Sequence, residues 1–307
     1  MKNYNDLNQS DQESFLMLPI IDELKKIGGQ SSTKELKRSV VANNDEIPDN
    51  MLTDFRTSKT TGAKYLPFDY DFNFSVKHLI LAGMLERPHT GSVRLTEKAR
   101  NFKGTGSELS RAVYKVSMPI FKANAKQKKK HKTTKEKVEV DDTEDIDNSS
   151  EEVGWRSELL NALMNLSSAK FELFCRALVK KMNVDIDETI GTKLTGDGGL
   201  DGYGYITTDD FRTARVAIQA KRWSLSNSVS SPEIDKFRGA MDKFRAEYGI
   251  FITTSTFTKD AVRTSRTGSR VITLIDGDRL LDLIAKYQLY VTPVTTYKLD
   301  KFFKEKD

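Results

Sequence analysis

Two short segments in the carboxy-terminal half carry side chains that could bind a cation and polarise water. TGDGGLDGYG places Asp197 and Asp201 in a glycine-rich turn that leads into a predicted strand. VAIQAKRW is predicted to be a second strand, on which Gln219 and Lys221 project from the same face because side chains alternate along a strand. If the two strands pair, a carboxylate, an amide and an ammonium group converge.

This trio of groups suits the hydrolysis of a phosphodiester bond. A divalent ion must screen the anionic phosphate and activate water, and Mg²⁺ or Mn²⁺ is expected because carboxylates, rather than His or Cys, are available to hold it. The expected ligands are Asp201, Gln219 and the backbone carbonyl of Ala220. Lys221 is expected to orient or deprotonate the attacking water and to stabilise negative charge. Glu172, on an upstream helix, would add another oxygen ligand.

Spacing alone leaves other interpretations of these segments open. The strand could lie on the surface, with Lys221 and Arg222 merely solvated. Arg222 could otherwise contact DNA beside the scissile bond or pair with an acid, and Asp197 could cap its own turn instead of binding metal. Thr253-Thr254-Ser255 end a predicted buried strand, where ligand-binding loops often occur, and could touch phosphates.

The elements around these segments alternate between helices and strands. Two amphipathic helices, WRSELLNALMNL and SAKFELFCRALVKKM, precede strands near 188–192, 202–207 and 215–219. A helix beginning at Pro232, the strand YGIFITTS, a short helix, the strand VITLID and a final helix follow. This order predicts an α/β domain with a mixed sheet flanked by helices.

The amino-terminal part shows a different order: helix, helix, helix, then a hairpin. Apolar residues at helical spacing over 12–28 predict a first helix, and Pro19 within this run indicates that the helix starts near it. Ser32 is a predicted cap of the next helix, TKELKRSVVAN. A third helix, from Phe72 to Ala82, precedes two short strands around HTGS. Another helix, about 108–121, closes the domain.

Helices followed by a hairpin are the order of a winged helix, a DNA-binding variant of the helix-turn-helix. Lys77 and His78 are then expected to be exposed on the helix that enters the groove, and Arg87 and Arg94 to lie on the wing. The alternative is a small helical packing or dimerisation module that touches no nucleic acid.

A charged segment separates the two parts. Residues 122–152 lack aromatic side chains and change from a Lys-rich block to an acidic block, so they are expected to form a flexible linker. The Lys block could grip phosphates, or the segment could be only a solvated tether. The predicted domains are therefore 1–121 and 153–307, joined by this linker.

Composition excludes several classes of site. The single cysteine, Cys175, rules out an internal disulfide and a cysteine-built zinc site, and its helical spacing indicates a buried apolar position. The net charge of +5 fits a polyanionic partner but is shared by many proteins. No run approaches the roughly 20 apolar residues of a membrane span, and the polar amino terminus is unlike a signal peptide. A cytoplasmic location is expected.

The carboxy-terminal motifs resemble the Mrr family of modification-dependent (type IV) restriction endonucleases, a branch of the PD-(D/E)xK nucleases. The segments that carry the resemblance follow the family's order: FE at 171–172, GDGGLDG at 196–202, QAKR at 219–222, FRGA at 237–240, GIFITTS at 249–255 and LIDG at 274–277. LAGMLERPHTGSVRLTEKAR resembles the family's winged-helix domain. The resemblance covers nearly the whole chain.

By that resemblance, Asp201, Gln219 and Lys221 match the family's D…QxK catalytic set and Glu172 its helix acid. It implies Mg²⁺-dependent cleavage of double-stranded DNA with methylated bases. No proline precedes Asp201, and Gln219 replaces the carboxylate of the wider superfamily, which should weaken metal affinity. Cutting both strands calls for a dimer or tetramer. The alternatives are a nuclease that reads DNA structure or unmodified sequence, and a DNA-binding regulator with an inactive nuclease domain.

Overall fold

The computed structural model consists of an amino-terminal unit with one hydrophobic core and a carboxy-terminal unit with two. The structure describes residues 4–131, 144–188, 200–207, 209–210, 212–268 and 270–294, and their side chains except those of 124–131 and 144–151. Within these residues no helix is both long enough and apolar enough to cross a membrane.

The amino-terminal unit consists of helices around a small antiparallel sheet. In chain order its elements are α1 (Gln9–Lys26), β1 (Gln30–Ser32), α2 (Thr33–Asn43), β2 (Arg56–Thr57), β3 (Lys64–Tyr65), α3 (Pro67–Leu81), β4 (Leu85–Glu86), β5 (Ser92–Leu95), α4 (Glu97–Arg100) and α5 (Gly106–His131). The three-stranded sheet has the order β1-β5-β4, and β2 pairs with β3 in a separate hairpin.

Helix caps explain where α1 and α2 begin. The Asn8 side chain accepts a hydrogen bond from the Asp11 amide, and the Ser32 side chain accepts one from the Glu35 amide. The predicted cap at Ser32 is therefore confirmed. The predicted start of the first helix near Pro19 is wrong, since α1 begins at Gln9 and continues through the proline. Burial of the apolar side chains on either side of Pro19 offsets the hydrogen bond that it cannot donate.

The third helix also begins earlier than the sequence indicates. α3 starts at Pro67, which fits the first turn because its missing N–H has no partner there in any helix. The helix ends at Leu81, and Gly83 takes a φ of +69°, a backbone conformation that glycine adopts without strain. The predicted hairpin is confirmed as β4 and β5.

The predicted flexible segment 122–152 needs a correction at both ends. α5 continues to His131, and the next helix, α6, begins at Glu144, so only 132–143 lie outside the described residues. Lys, Glu and Gln are good helix formers, and a charged helix needs no apolar core to extend beyond a packed one. The charge pattern indicated solvent exposure but did not exclude helix.

The carboxy-terminal unit is a five-stranded mixed sheet between helices. Its elements are α6 (Glu144–Met164), α7 (Ser168–Lys181), β6 (Asp185–Ile186), β7 (Gly202–Thr207), β8 (Thr213–Lys221), α8 (Ser231–Lys243), β9 (Tyr248–Thr253), α9 (Lys259–Arg266), β10 (Ile272–Ile275) and α10 (Gly277–Tyr287). The strand order is β10-β9-β8-β7-β6. The predicted α/β architecture is confirmed in the described residues, while most of the strand predicted at 188–192 lies outside them.

Alternation along β8 assigns one core to each face of this sheet. Val216, Ile218 and Ala220 pack with α6, α7 and α10, whereas Ala217 packs with α8 and α9 on the other face. β8 pairs antiparallel with β7 and parallel with β9. This central strand therefore pairs with both neighbours over residues 216–218, and its last three residues, 219–221, pair with β9.

Candidate active site

The candidate site lies where β7 begins and β8 ends. The Asp201 amide donates to the Ile218 carbonyl at 2.9 Å, and Gly202 pairs with Ile218 in the antiparallel register. Asp201 therefore lies beside Gln219, 18 positions later in the chain. The strand pairing that the sequence analysis required for convergence is present.

The Asp201 carboxylate holds the two strands together at this corner. Its Oδ2 accepts hydrogen bonds from the Gln219 side-chain amide and, at 2.7 Å, from the Ala220 backbone amide. In an antiparallel pair, the N–H and C=O of one residue point to the same side of the strand. The Ala220 carbonyl therefore faces the same edge as Asp201.

These donors fit a small, oxygen-preferring cation. No three His, Cys, Asp or Glu side chains cluster as a metal site within the described part of the chain. The corner instead offers the Asp201 carboxylate, the Gln219 amide and the Ala220 carbonyl, a short oxygen set that suits Mg²⁺ because this ion retains several waters. Gln219 contacts Asp201 through its amide nitrogen, so coordination requires a flip of the amide group.

A second carboxylate, Glu172 on α7, interacts electrostatically with Asp201 and Lys221. Burial raises the pKa of Asp201, and the Ala220 amide, Lys221, Gln219 and Arg176 lower it by less. Burial and the charge of Asp201 likewise raise the pKa of Glu172, against Lys221 and Arg176. Two acids with raised pKa values lack sufficient positive charge nearby, as expected where a cation binds.

Arg176 is a member of this charge cluster that the sequence analysis missed. It follows Glu172 by four positions on α7, and its side-chain carbons lie 3.2 Å from where a Cβ on Gly202 would be. Gly202 thus leaves room for Arg176 directly beside Asp201. The four-residue spacing from Glu172 is the signal that could have identified it.

Hydrogen bonds from the end of β9 fix the backbone around Lys221. Thr253 Oγ1 donates to the Lys221 carbonyl at 2.8 Å, and Thr254 Oγ1 donates to the Trp223 carbonyl at 2.6 Å. Thr253, Thr254 and Ser255 are fully buried. The suggestion that these residues touch phosphates is therefore wrong, because their hydroxyls lie inside the fold.

Arg222 is partly buried and makes a structural bond, and its contact with DNA stays a prediction. Its Nη1 donates to the Met164 carbonyl at 2.8 Å, at the end of α6, and its Nε is buried without a partner in the described residues. Asp197 lies outside the described residues.

Cys175 is buried on α7, as expected from its helical spacing. Burial, together with the charges of Asp201 and Glu172, raises the pKa of its thiol well above the ordinary value. A protonated, buried thiol is a poor nucleophile. The interpretation of Cys175 as an apolar core residue is confirmed.

Comparison with known families assigns both halves of the chain. The sequence model of the Mrr catalytic domain, described as a restriction endonuclease, matches residues 163–284. The model of the Mrr N-terminal domain matches residues 14–105. The chain belongs to the Mrr family.

One curated relative and two solved structures are similar to parts of this Mrr-family chain. The type IV methyl-directed restriction enzyme EcoKMrr of Escherichia coli (strain K12) is 34% identical over 140 residues, which is 44% of this chain and 43% of that enzyme. AspBHI, a DNA modification-dependent restriction endonuclease, has a TM-score of 0.39 at 19% identity, covering 44% of this chain and 36% of its own. The MspJI restriction endonuclease in complex with a 27-mer oligonucleotide has a TM-score of 0.38 at 20% identity, covering 44% and 32%.

Within the part matched by the Mrr N-terminal domain, His78 is not where the sequence analysis expected it. Its side chain is buried, its Nδ1 lies 2.9 Å from Ser117 Oγ, and its ring packs against Tyr114 and Phe121. The prediction that His78 is exposed and contacts DNA is wrong. The long helix α5 covers this face of α3, and no pattern in the residues indicates that packing.

The other predicted DNA contacts lie nearer to solvent. Lys77 is half-buried, with its Nζ 5.5 Å from the centre of the Phe121 ring. Arg87 is exposed on the hairpin, and Arg94 is exposed but donates to Glu86 at 2.8 Å. Their contacts with DNA remain predictions.

Two further positions on α3 share the stripe of Lys77. Tyr70 is 41% exposed, and Asn73 is partly exposed one turn later. Spacings of three and four residues place Tyr70, Asn73 and Lys77 along one side of the helix. The sequence analysis missed Tyr70 and Asn73, although this spacing was visible in it.

Proposed function

We propose that this chain is a Mg²⁺-dependent endonuclease that cleaves double-stranded DNA carrying methylated bases. The observation that carries the proposal is the convergence of the Asp201 carboxylate, the Gln219 amide and the Ala220 backbone at one corner, with Lys221 on the same strand. A purely structural strand pair needs no buried carboxylate there, since leaving it ionised costs free energy.

The residues of the corner divide the work of phosphodiester hydrolysis. Asp201, Gln219 and the Ala220 carbonyl would hold the divalent ion, which supplies Lewis acidity toward the phosphate. Lys221 would orient the attacking water and stabilise the developing negative charge. Glu172 would accept a proton or a hydrogen bond from water at the same site. The bonds from Thr253 and Thr254 keep the end of β8 rigid, so that Lys221 meets the phosphate in one position.

The amino-terminal unit supports a winged-helix assignment. Apart from the added β2–β3 hairpin between α2 and α3, its order of helix, strand, helix, helix and hairpin, with the sheet order β1-β5-β4, is that of the motif. α3 would then be the helix that enters the major groove. The exposed stripe of Tyr70, Asn73 and Lys77 would then face the bases, and Arg87 and Arg94 would approach the backbone from the wing.

Recognition of methylated bases is proposed from the relative that shares the catalytic half. EcoKMrr is a methyl-directed enzyme by its name, and its match covers less than half of either chain. We further propose domains at 1–121 and 153–307, a dimer or tetramer on DNA because two strands need two sites, and a cytoplasmic location.

Plasmid cleavage tests the proposal. Methylated and unmethylated plasmid should be incubated with the wild type in Mg²⁺ and in EDTA, alongside Lys221→Ala and the matched control Lys236→Ala, whose side chain is 73% exposed on α8. We expect cleavage of methylated plasmid only, in Mg²⁺ only, by the wild type and the control.

The other outcomes identify the alternatives. Equal cleavage of both plasmids would indicate a nuclease that reads structure or unmodified sequence. Binding without any nicking by the wild type would indicate a regulator with an inactive nuclease domain. Full activity of Lys221→Ala would contradict the proposed site.

A further inference from the structure

A cluster of ion pairs joins α2 of the amino-terminal unit to α10 of the carboxy-terminal unit. Arg38 Nε lies 2.7 Å from Asp278 Oδ2, and Arg38 Nη2 lies 2.5 Å from Asp282 Oδ2. Lys34 Nζ lies 2.7 Å from Asp282 Oδ1. Lys34 also lies 3.4 Å from Glu152 Oε1 on α6. Two cations of one unit are therefore neutralised by three carboxylates of the other, of which Asp278 and Asp282 are about 240 positions from Arg38 in sequence.

Arg156 on α6 completes the cluster from the carboxy-terminal side. It donates to Asp282 at 2.6 Å and to the carbonyl and carboxylate of Asp278, and its side chain is only 6% exposed. Asp278 and Asp282 thus have a partner within their own unit even when Lys34 and Arg38 are withdrawn. The two acids can be exposed on one side without being left unpaired.

The face of the amino-terminal unit that meets α10 is the one a winged helix presents to DNA. A cleft of about 270 Å³ lies between the units, and the amino-terminal residues that line it include Lys34, Lys37, Asn73 and Arg87. They come from the start of α2, from α3 and from the hairpin. The major groove alone of a DNA duplex is about 12 Å wide, so the whole duplex does not fit a cleft of this volume.

We infer that Lys34 and Arg38 form a binding site for DNA phosphates that Asp278 and Asp282 occupy in the free protein. Carboxylates and phosphates offer arginine the same planar pair of acceptor oxygens, so one can replace the other on Arg38. DNA and α10 compete for these two cations, and the units separate when DNA binds. This inference rests on the proposed winged-helix function.

Separation of the units must also release other contacts between them, including α6 against β3 and the partly buried side chain of Phe55 against the carboxy-terminal core. Lys259 on α9 donates to the Ile47 carbonyl at 2.6 Å and lies 3.5 Å from Asp49. Lys34 is 44% exposed and Asp282 25% exposed, so water and salt reach the cluster. Screening by water and salt weakens the pairs that Lys34 makes, which leaves this cation open to exchange with a polyanion.

Binding of a labelled 30-base-pair duplex in EDTA tests the inference in the full chain. Asp282→Asn keeps the shape of the side chain but removes the competing charge, and we expect it to bind DNA at least about fivefold more tightly than the wild type. The matched control is Asp242→Asn, which changes net charge equally on a side chain 61% exposed at the far end of α8. Lys34→Gln and Arg38→Gln should each weaken binding and reduce the slope of log affinity against log salt by about one.

The results separate this inference from the proposed function. If neither the wild type nor any variant binds the duplex at any salt concentration, the winged-helix proposal fails and the inference fails with it. If the wild type binds but Asp282→Asn binds no tighter than Asp242→Asn, only the competition is overturned. Should Asp282→Asn fail to fold in a thermal melt, an unchanged salt slope in the more exposed variant Lys34→Gln would still overturn the phosphate site.

Discussion

The pKa shifts of partly buried carboxylates have opposite signs in the candidate active site around Asp201 and in the α2–α10 cluster. At the corner, burial raises the pKa of Asp201 and of Glu172, and the neighbouring cations do not reverse the shift. In the cluster, burial would also raise the pKa of Asp282, but hydrogen bonds from Lys34 and Arg38 and the charge of Arg156 lower it to about 2. The cations near Asp201 are too few to offset the cost of burial, whereas those near Asp282 more than offset it.

This difference indicates which charge each site binds: a cation at the candidate active site and an anion at the cluster. Carboxylates that are costly to ionise bind a cation favourably, because the cation relieves a penalty already present in the fold. Cations that are already neutralised gain little from an anion unless it displaces the carboxylates they hold. The corner should therefore respond to divalent ions, and the cluster to polyanions and salt.

The largest effect should come from Asp201→Asn. We expect the rate of DNA cleavage to fall by at least about 10²–10³-fold, since a charged ligand of the ion is lost. The melting temperature in EDTA should not fall, because a raised pKa means that the ionised carboxylate opposes folding at neutral pH. A clear loss of melting temperature would show that the corner is as well satisfied as the cluster.

Asp282→Ala should have the reverse profile. Removing this carboxylate leaves Lys34, Arg38 and Arg156 with one acid fewer, and we expect a loss of about 2 kcal/mol in urea unfolding, below the full cost of breaking a buried pair because the site is partly exposed. Asp242→Ala is the control and should change stability by less than about 0.5 kcal/mol. Equal values for the two variants would contradict the cluster's role in stability.

The pH dependence should separate the two regions again. Protonation of Asp201 or Glu172 blocks ion binding, so kcat/KM should fall about tenfold per pH unit on an acid limb that lies above the ordinary carboxyl pKa of about 4. The stability that Asp282 contributes is present above about pH 4 and is lost as pH falls toward its folded pKa of about 2. Higher Mg²⁺ should move the acid limb of activity to lower pH and leave unchanged the pH range over which the contribution of Asp282 to stability is lost.

The smallest effects are expected on the wing and on α3. Lys77→Ala and Arg94→Ala should each reduce the salt slope of DNA binding by about one and weaken affinity a few-fold. His78→Ala should leave the slope unchanged and lower stability instead, since its ring is buried against Tyr114 and Phe121. A changed slope for His78→Ala would return this residue to the DNA-contacting set.

Local signals in the sequence predicted the corner well. The strand β7 has the bounds expected from its residues, and the alternation of β8 correctly placed Gln219 next to Asp201 across the pair. The cap at Ser32 and the helix that follows it were also predicted, because a cap depends on residues three positions apart.

Features that depend on distant partners could not be predicted. β1 is three polar residues that become a strand only by pairing with β5, and the periodicity of α3 could not show that α5 covers His78. The pairs between Arg38 and α10 join residues whose spacing in sequence carries no signal. The bond from Arg222 could not be predicted for the same reason, since its partner is a backbone carbonyl 58 positions away.

The connection at Gly277 determines which part of the molecule can move. A Cβ at this position would overlap the Thr254 carbonyl oxygen, and the Gly277 amide donates to Ser255 at 2.8 Å, so α10 starts directly against the end of β9. The start of α10 and the end of β9 therefore pack directly against each other. The inferred separation of the units would then move the amino-terminal unit relative to α10, and would leave the hydrogen bond from Thr253 to the Lys221 carbonyl unchanged.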